Sequence, residues 1–428
     1  MSSPIQAAET TPTSRFASPL LPIFLIVLVD VLGFTIILPL LPFYSERLGA
    51  SATVVGELVS TYALCQLISG PILGQLSDRH GRRPLLLVSQ AGTLAGFFLL
   101  AFAGKIWMLF IARAIDGATA GNLTIAQAYI SDVTKPENRA KSFALIGIAF
   151  GFGFLVGPAI SGFLAHYHGY QAPIFAACCL SFTTILCTFF LLPRREPVHL
   201  HNEEAELNPG PGGKRLSLLS WGEYRKYFRD PQLARLLLQW LLFSFSFSTF
   251  ISGFALFAER RYLWNGHPVG VREVGYIFAF TGFIGMIMQG GVVGRMVQWL
   301  GEPRVIQIGF ITSFIGDIAI GLTRTIGQLL WVAGLANIGG SGLRPALTSV
   351  ITQKAGKREV GVVIGLTQSL MSIAQIIAPI ISGLLINADD RYHDQRFLVI
   401  WAVWAGVLAG AALFFAPRPT PRAVVAAV

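Results

Sequence analysis

Apolar residues run through this chain in twelve blocks, near 20–44, 54–76, 84–104, 107–130, 140–165, 171–192, 233–258, 271–297, 304–323, 328–352, 360–386 and 397–416. A helix needs roughly 20 apolar residues to cross a bilayer, and these blocks have about that length. The pattern predicts twelve membrane-crossing helices joined by short polar turns. It breaks once, from Pro193 to Asp230, where Glu203, Glu204, Glu206, a Pro209-Gly-Pro-Gly-Gly run and several basic residues collect. The expected organisation is a tail (1–19), a first six-span bundle (20–192), a linker (193–232) with a short amphipathic helix around Leu218 to Phe228, a second six-span bundle (233–416) and a final tail (417–428).

The two halves repeat. Gly74-x-Leu-x-x-x-x-Gly81 recurs as Gly294-x-Met-x-x-x-x-Gly301, and Gly157-Pro158-Ala-Ile-Ser-Gly162 recurs as Ala378-Pro379-Ile-Ile-Ser-Gly383. Two matches at almost one offset point to duplication. Asp78 becomes Gln298 in the second copy, so the charged form survives only in the first.

Composition supports a membrane setting: 53% of residues are hydrophobic and only 13% charged, against about 25% charged in soluble proteins. The net charge of +10 does not indicate a nucleic-acid binder, because the basic residues sit in short loops. With the first residues on the cytoplasmic side, 22 of the 32 Lys and Arg fall on that side and 8 on the other. That bias predicts both termini in the cytoplasm. The first residues are polar and Ser/Thr/Pro-rich, and the first apolar run is too long for a signal-peptide core, so no cleavable signal is expected. Cys65, Cys178, Cys179 and Cys187 all fall in predicted spans and read as buried small hydrophobes rather than a disulfide framework.

Between the second and third runs lies Gly74-Gln-Leu-Ser-Asp78-Arg79-His80-Gly81-Arg82-Arg83-Pro84, a dense cluster of charge and glycine. It resembles the loop 2–3 signature of the major facilitator superfamily of transporters. The stretch Asp30-Val-Leu-Gly-Phe followed by Pro39-Leu-Leu-Pro42 resembles first spans of that superfamily's twelve-span drug:proton antiporters, and the tetracycline exporters are the subgroup the chain most resembles. The resemblance covers about residues 20–416. It implies an all-α membrane protein of twelve transmembrane helices in two pseudo-symmetric six-helix bundles, the major facilitator fold.

Charge inside the spans carries the candidate chemistry. A carboxylate in hydrocarbon costs about 2.5–3.5 kcal/mol on insertion scales, so Asp30 must face the bundle interior or a wet cavity. There it serves either as a structural hydrogen-bonding acid or as a proton or substrate site, and the second reading is favoured here. Arg113 and Asp116 are three apart on one helical face. They form an internal pair, or Arg113 shifts between Asp116 and Asp30 as protons load. Arg113-Ala-Ile-Asp116-Gly117-Ala-Thr-Ala-Gly121 looks like the family's fourth-span motif, whose arginine is implicated in proton handling; Asp116 departs from it. Asp317 in span nine matches an acid common in tetracycline exporters, but span eight lacks their usual histidine. Arg344 in span ten either pairs with Asp317 or attracts an anionic substrate group. The expected coupling set is Asp30, Arg113 and Asp116, with Asp317 assisting.

Span five carries Gly147, Gly151, Gly153, Gly157, Pro158 and Gly162. Its glycines allow close backbone approach and its proline kinks the helix. The pattern resembles the motif that marks exporters in this superfamily. By the same resemblance, Gly74, Asp78, Arg79, Gly81, Arg82, Arg83 and Asp132 form a conformational latch, in which Asp78 and Arg82 engage Asp132 and the start of span eleven near Gly361. Phe34, Gln66, Asn122, Gln127, Phe243, Gln289 and Asn337, with Arg344, are candidates for substrate contact.

No nucleotide-binding loop is present, and no nucleophile–base or metal-ligand spacing stands out. His199 and His201 beside the linker glutamates read as solvated. The expectation is a secondary transporter, not an enzyme, with no cofactor and no metal, monomeric in the lipid bilayer. It would export a hydrophobic or amphipathic compound, a tetracycline-like drug among the candidates, in exchange for protons, from a bacterial inner membrane. Two alternatives stay open: a proton-coupled importer of a small organic anion or nutrient, and a non-transporting membrane receptor.

Overall fold

The computed structural model describes residues 20–134, 139–192, 227–355 and 360–415. Both expected tails, most of the linker with its histidines and all but the last residues (227–228) of its expected short helix, and the stretch around Lys135 lie outside these residues.

The chain folds into helices α1 (Leu20–Arg47), α2 (Ala52–His80), α3 (Arg82–Ala101), α4 (Ile106–Ala118), α5 (Asn122–Val133), α6 (Arg139–His168) and α7 (Gln171–Leu191). Beyond the linker follow α8 (Pro231–Arg261), α9 (Val271–Ile287), α10 (Val293–Leu300), α11 (Glu302–Leu322), α12 (Ile326–Gly340), α13 (Leu343–Ala355), α14 (Val360–Tyr392) and α15 (Arg396–Leu413). Ten helical segments are long and apolar enough to cross a membrane. The twelve predicted spans are nonetheless all present, because spans four and ten are each broken into two shorter helices, α4–α5 and α12–α13. A π turn at Met288–Val292 joins α9 to α10 within span eight. A two-stranded hairpin, β1 (Leu263–Trp264) and β2 (His267–Pro268), links α8 to α9. Its turn residues Asn265 and Gly266 both have positive φ, as a two-residue hairpin of this type requires. The hydropathy pattern did not anticipate it.

Side chains replace the backbone hydrogen bonds lost at each break. Ser89 of α3 donates to the carbonyl of Thr119 and accepts from the Gly121 N–H at 3.0 Å. In span ten, the Ser341 hydroxyl lies 2.6 Å from the Asn337 carbonyl oxygen and 2.7 Å from its side-chain oxygen. Within a bilayer, where water is scarce, such substitutes make a broken helix tolerable. Caps set the helix starts elsewhere: Asp230 accepts from Gln232 N at 2.9 Å ahead of Pro231, and Thr325 accepts from Gln328 N at 3.3 Å. Gly81 and Gly301, equivalent in the repeat, sit at φ 95° and 80°, where a side chain would be strained. Each turns one span sharply into the next.

Helices α1–α7 pack among themselves, chiefly α1 on α6 and α7, and α3 on α4 and α7. Helices α8–α15 do likewise through α8 on α14 and α15, and α11 on α12 and α15. The halves meet along two seams, α2 against α14 and α6 against α9.

Both seams are tight at the end of the bundle opposite the Gly74–Arg83 loop. A Cβ on Gly56 would strike the Pro379 carbonyl, and one on Gly275 the Pro158 carbonyl. Gly383 meets Ala52 and Thr53, and Gly162 meets Val271 and Arg272. The duplicated Gly/Ala-Pro-x-x-x-Gly elements are therefore the surfaces on which each half receives a glycine of the other. Toward the loop end, Gly70, Gly147, Gly151, Gly290, Gly291, Gly294 and Gly365 face open space. Among the described residues, the seams are tight at one end and these glycines are uncrowded at the other.

Candidate functional site

Polar side chains from four helices of the first half converge inside the bundle. Asp30 of α1 accepts a hydrogen bond from Asn122 Nδ2 at 2.8 Å; Asn122 opens α5, just past the break in span four. One turn before the break, Arg113 Nη1 bonds Asp116 Oδ2 at 2.8 Å, with both side chains buried. The Arg113 guanidinium lies over the Tyr62 ring of α2, 4.2 Å from its centroid, within range of a cation–π contact. Tyr62 in turn accepts from Gln66 at 3.3 Å. Two buried atoms of the cluster, Arg113 Nε and Asn122 Oδ1, have no hydrogen-bond partner. The cluster thus retains unused hydrogen-bonding capacity, so its pairing can be rearranged without importing new groups. Tyr62 is a member the sequence reading missed; its spacing of four from Gln66 was the available signal.

The second half is organised differently. Asp317 of α11 accepts from Ser246 of α8 at 3.2 Å, not from Arg344 as one reading of the sequence had it. The two fall on different neighbours because Ser246 presents its hydroxyl to α11 while Arg344 lies in the first turn of α13. Asn337 donates to the Thr281 carbonyl at 3.1 Å, joining α12 to α9. Phe243 stacks on Phe247 at 6.0 Å, with Trp240 at 5.9 Å. Gln289 and Gln368 are exposed; Phe34 and Gln127 are partly so.

At the loop end, Arg82 is buried and holds Asp132 of α5 at 2.8 Å, Ser77 at 2.7 Å and Asp78. The expected contacts of Arg82 with Asp78 and Asp132 are therefore present. The partner near Gly361 adjoins 356–359, outside the described residues. Gly74 packs toward Thr124. Arg79 is exposed. Arg83 does something else: it donates to Phe189 O at 2.6 Å and Thr188 O at 3.4 Å, capping the end of α7. The expected exporter helix divides by depth. Gly153 and Gly157 pack on Val31 and Thr35 of α1, Gly162 meets α9, and Gly147 and Gly151 are open.

The sealed end carries a cluster that sequence reading did not single out. Arg260 of α8 binds Glu46 of α1 at 2.7 Å and Asp390 of α14 at 2.7 and 2.8 Å, with Glu259 at 3.5 Å. One arginine therefore ties the first half to two helices of the second. The only sequence signal was charge at the ends of spans one, seven and eleven.

This architecture has known counterparts. The family model described as Major Facilitator Superfamily matches residues 23–316 and 290–427. The chain is 29% identical over 410 residues to tetracycline resistance protein, class H, of Pasteurella multocida, covering 94% of this chain and 98% of that protein. It is 28% identical over 365 residues to multidrug resistance protein 1 of Bacillus subtilis (strain 168), covering 85% and 88%. Among solved structures, the human organic anion transporter MFSD10 (TETRAN) superposes with a TM-score of 0.67 at 23% identity, covering 95% of this chain and 100% of that one. A peptide transporter POT in complex with sulfate superposes with a TM-score of 0.69 at 16% identity, covering 93% and 92%. With matching family segments across nearly its whole length and a twelve-span helical fold, this integral, multi-pass membrane chain belongs to the Major Facilitator Superfamily.

Proposed function

We propose that this chain is a proton-coupled exporter that moves a hydrophobic or amphipathic compound by alternating access, with 20–192 and 233–416 as its two moving halves. The Lys/Arg bias supports a cytoplasmic loop end and cytoplasmic termini. The sealed end, with its Arg260 clamp, then faces outward, and the parted end faces the cytoplasm, from which an exporter loads. Relatives named for tetracycline and multidrug resistance support a drug as cargo in a bacterial inner membrane. The absence of histidine from span eight argues against carrying over tetracycline itself.

The observation that carries the reading is the Asp30–Asn122 bond beside the Arg113–Asp116 pair. A carboxylate within a span accepts from one amide, and a fixed arginine stands in the neighbouring span. Arginine does not give up its own proton, so the exchanging group is the acid. Protonating Asp30 removes its charge and weakens its hold on the Asn122 amide. The spare Arg113 Nε and Asn122 Oδ1 then favour a different pairing across the break. Such a change biases two conformations by the difference in their interaction energies.

The test uses proteoliposomes with a pH-sensitive dye inside and no imposed gradient. Lipophilic cations, tetracyclines and small organic acids are added in turn. Proton flux opposite to a compound's movement is expected for at least one of them. Flux in the same direction would instead support the importer, and binding without flux the receptor.

A further inference from the structure

Arg344 stands apart from the other charges within the spans: its side chain is exposed, whereas Arg113 and Asp116 are buried. It lies 11 residues from the end of α13, about 16 Å at helical rise, well away from either membrane surface. Among the described residues its guanidinium has no hydrogen-bond or ion-pair partner, and the only bond at this residue is its carbonyl accepting from Thr348. Acids on the helices packed against α13 are committed elsewhere. Asp317 bonds Ser246, Glu302 bonds Ser349 and Gln353 at the helix end, and Glu259, Asp389 and Asp390 lie at the sealed end of α8 and α14.

A bare arginine at this depth is costly and must face the bundle interior or a wet cavity. Its helical position agrees. Within α13, Arg344 and Thr348 lie one turn apart on one face, while Trp331, Leu335 and Ile338 of α12 are exposed apolar residues. Helix α8, which packs against α13, carries aromatic surface. Phe243 packs on the cluster that contains Leu343, Ala346 and Leu347, and stacks on Phe247.

Resting on the proposed transport reading, we infer that Arg344 is an anion-binding subsite, and that the cargo is an aromatic or amphipathic compound bearing an acidic group. The acid would meet the Arg344 guanidinium, whose planar fork suits a carboxylate. The apolar body would lie along Phe243 and Phe247.

The test compares 1-naphthaleneacetate with its uncharged amide, 1-naphthaleneacetamide. Equilibrium binding is measured on the purified full chain, and proton flux in proteoliposomes, with tetraphenylphosphonium and tetracycline as further cargo. Wild type should prefer the acid by about 30-fold, or about 2 kcal/mol. R344Q should bind acid and amide alike, and R344K should retain about three- to tenfold preference, since a lone ammonium lacks the fork. If R344Q does not fold, R344K carries the test alone, and an undiminished preference there overturns the assignment. Equal binding of acid and amide by wild type also overturns it, as does equal loss of both in R344Q, which would place Arg344 in the conformational cycle. Proton flux with tetraphenylphosphonium or tetracycline but none with the acid refutes the anion subsite alone. Silence with every compound refutes the transport reading beneath it.

Discussion

In the first half, every described charge deep within a span has a polar partner: Asp30 bonds Asn122, and Arg113 bonds Asp116 while lying over Tyr62. In the second half, Asp317 bonds only a serine, and Arg344 has no partner among the described residues. Duplication produced similar scaffolds, with matching breaks in spans four and ten and matching glycine turns at Gly81 and Gly301. It did not produce matching electrostatics. One half holds an internally balanced network whose members can exchange partners. The other holds an exposed arginine with no partner among the described residues. In the reading proposed above, the first half handles protons and the second offers charge to the cargo.

The strongest way to break this contrast is to unbalance the first half. Asp116→Asn leaves the buried Arg113 without its counter-charge, and removing one member of a buried pair costs about 3–5 kcal/mol. A large fall in the unfolding temperature in detergent is expected. Asp317→Asn, which keeps a group able to bond Ser246, should cost less than about 1.5 kcal/mol, the scale of one net hydrogen bond. Equal losses in the two variants would erase the difference between the halves.

Asp30→Asn should preserve the fold, because an amide can still bond Asn122, yet lower proton-driven exchange by about 100-fold, or about 2.7 kcal/mol. Binding of the same compound should change by less than about threefold, a shift under about 0.7 kcal/mol. Full coupled exchange by this variant would remove Asp30 from the coupling role.

The seam between the halves gives a third measurement. Arg260→Gln frees Glu46 and Asp390, so the sealed end should open more often. In a Ser60→Cys background, where position 60 is buried at that end, labelling by a water-soluble maleimide should rise by about tenfold for a bias of about 1.4 kcal/mol. Unchanged labelling would show that the Gly56–Pro379 and Gly275–Pro158 contacts hold the seal by themselves. Of similar size, Tyr62→Leu removes the ring beneath Arg113. A loss of about 0.5–2 kcal/mol is expected, read as a modest fall in unfolding temperature with the Arg113–Asp116 pair intact. No loss would mean that the carboxylate alone holds the arginine.

The twelve spans, the all-helical class and the repeat could be read from the sequence because each is local. Apolar length sets a span, and Pro158 and Pro379 fall in the same short motif in both copies. The charges at Asp30, Arg113, Asp116, Asp317 and Arg344 were also legible, since an ionisable residue in an apolar run is conspicuous wherever it lies. Partnership was not. Nothing in a linear pattern says that Asn122 would meet Asp30 across 92 positions, that Ser246 would take Asp317 away from Arg344, or that Arg83 would cap α7 rather than join Arg82 at the latch. Helix packing fixes those pairings, and it depends on how glycine faces let backbones approach. The clamp at Arg260 shows the same division. Its three helices end in charge that looks, in sequence, like ordinary solvated termini, and only the closure of one half on the other brings Glu46 and Asp390 to a single guanidinium. Composition and period thus determined what crosses the membrane, while the tertiary structure decided which charges are balanced and which one has no partner among the described residues.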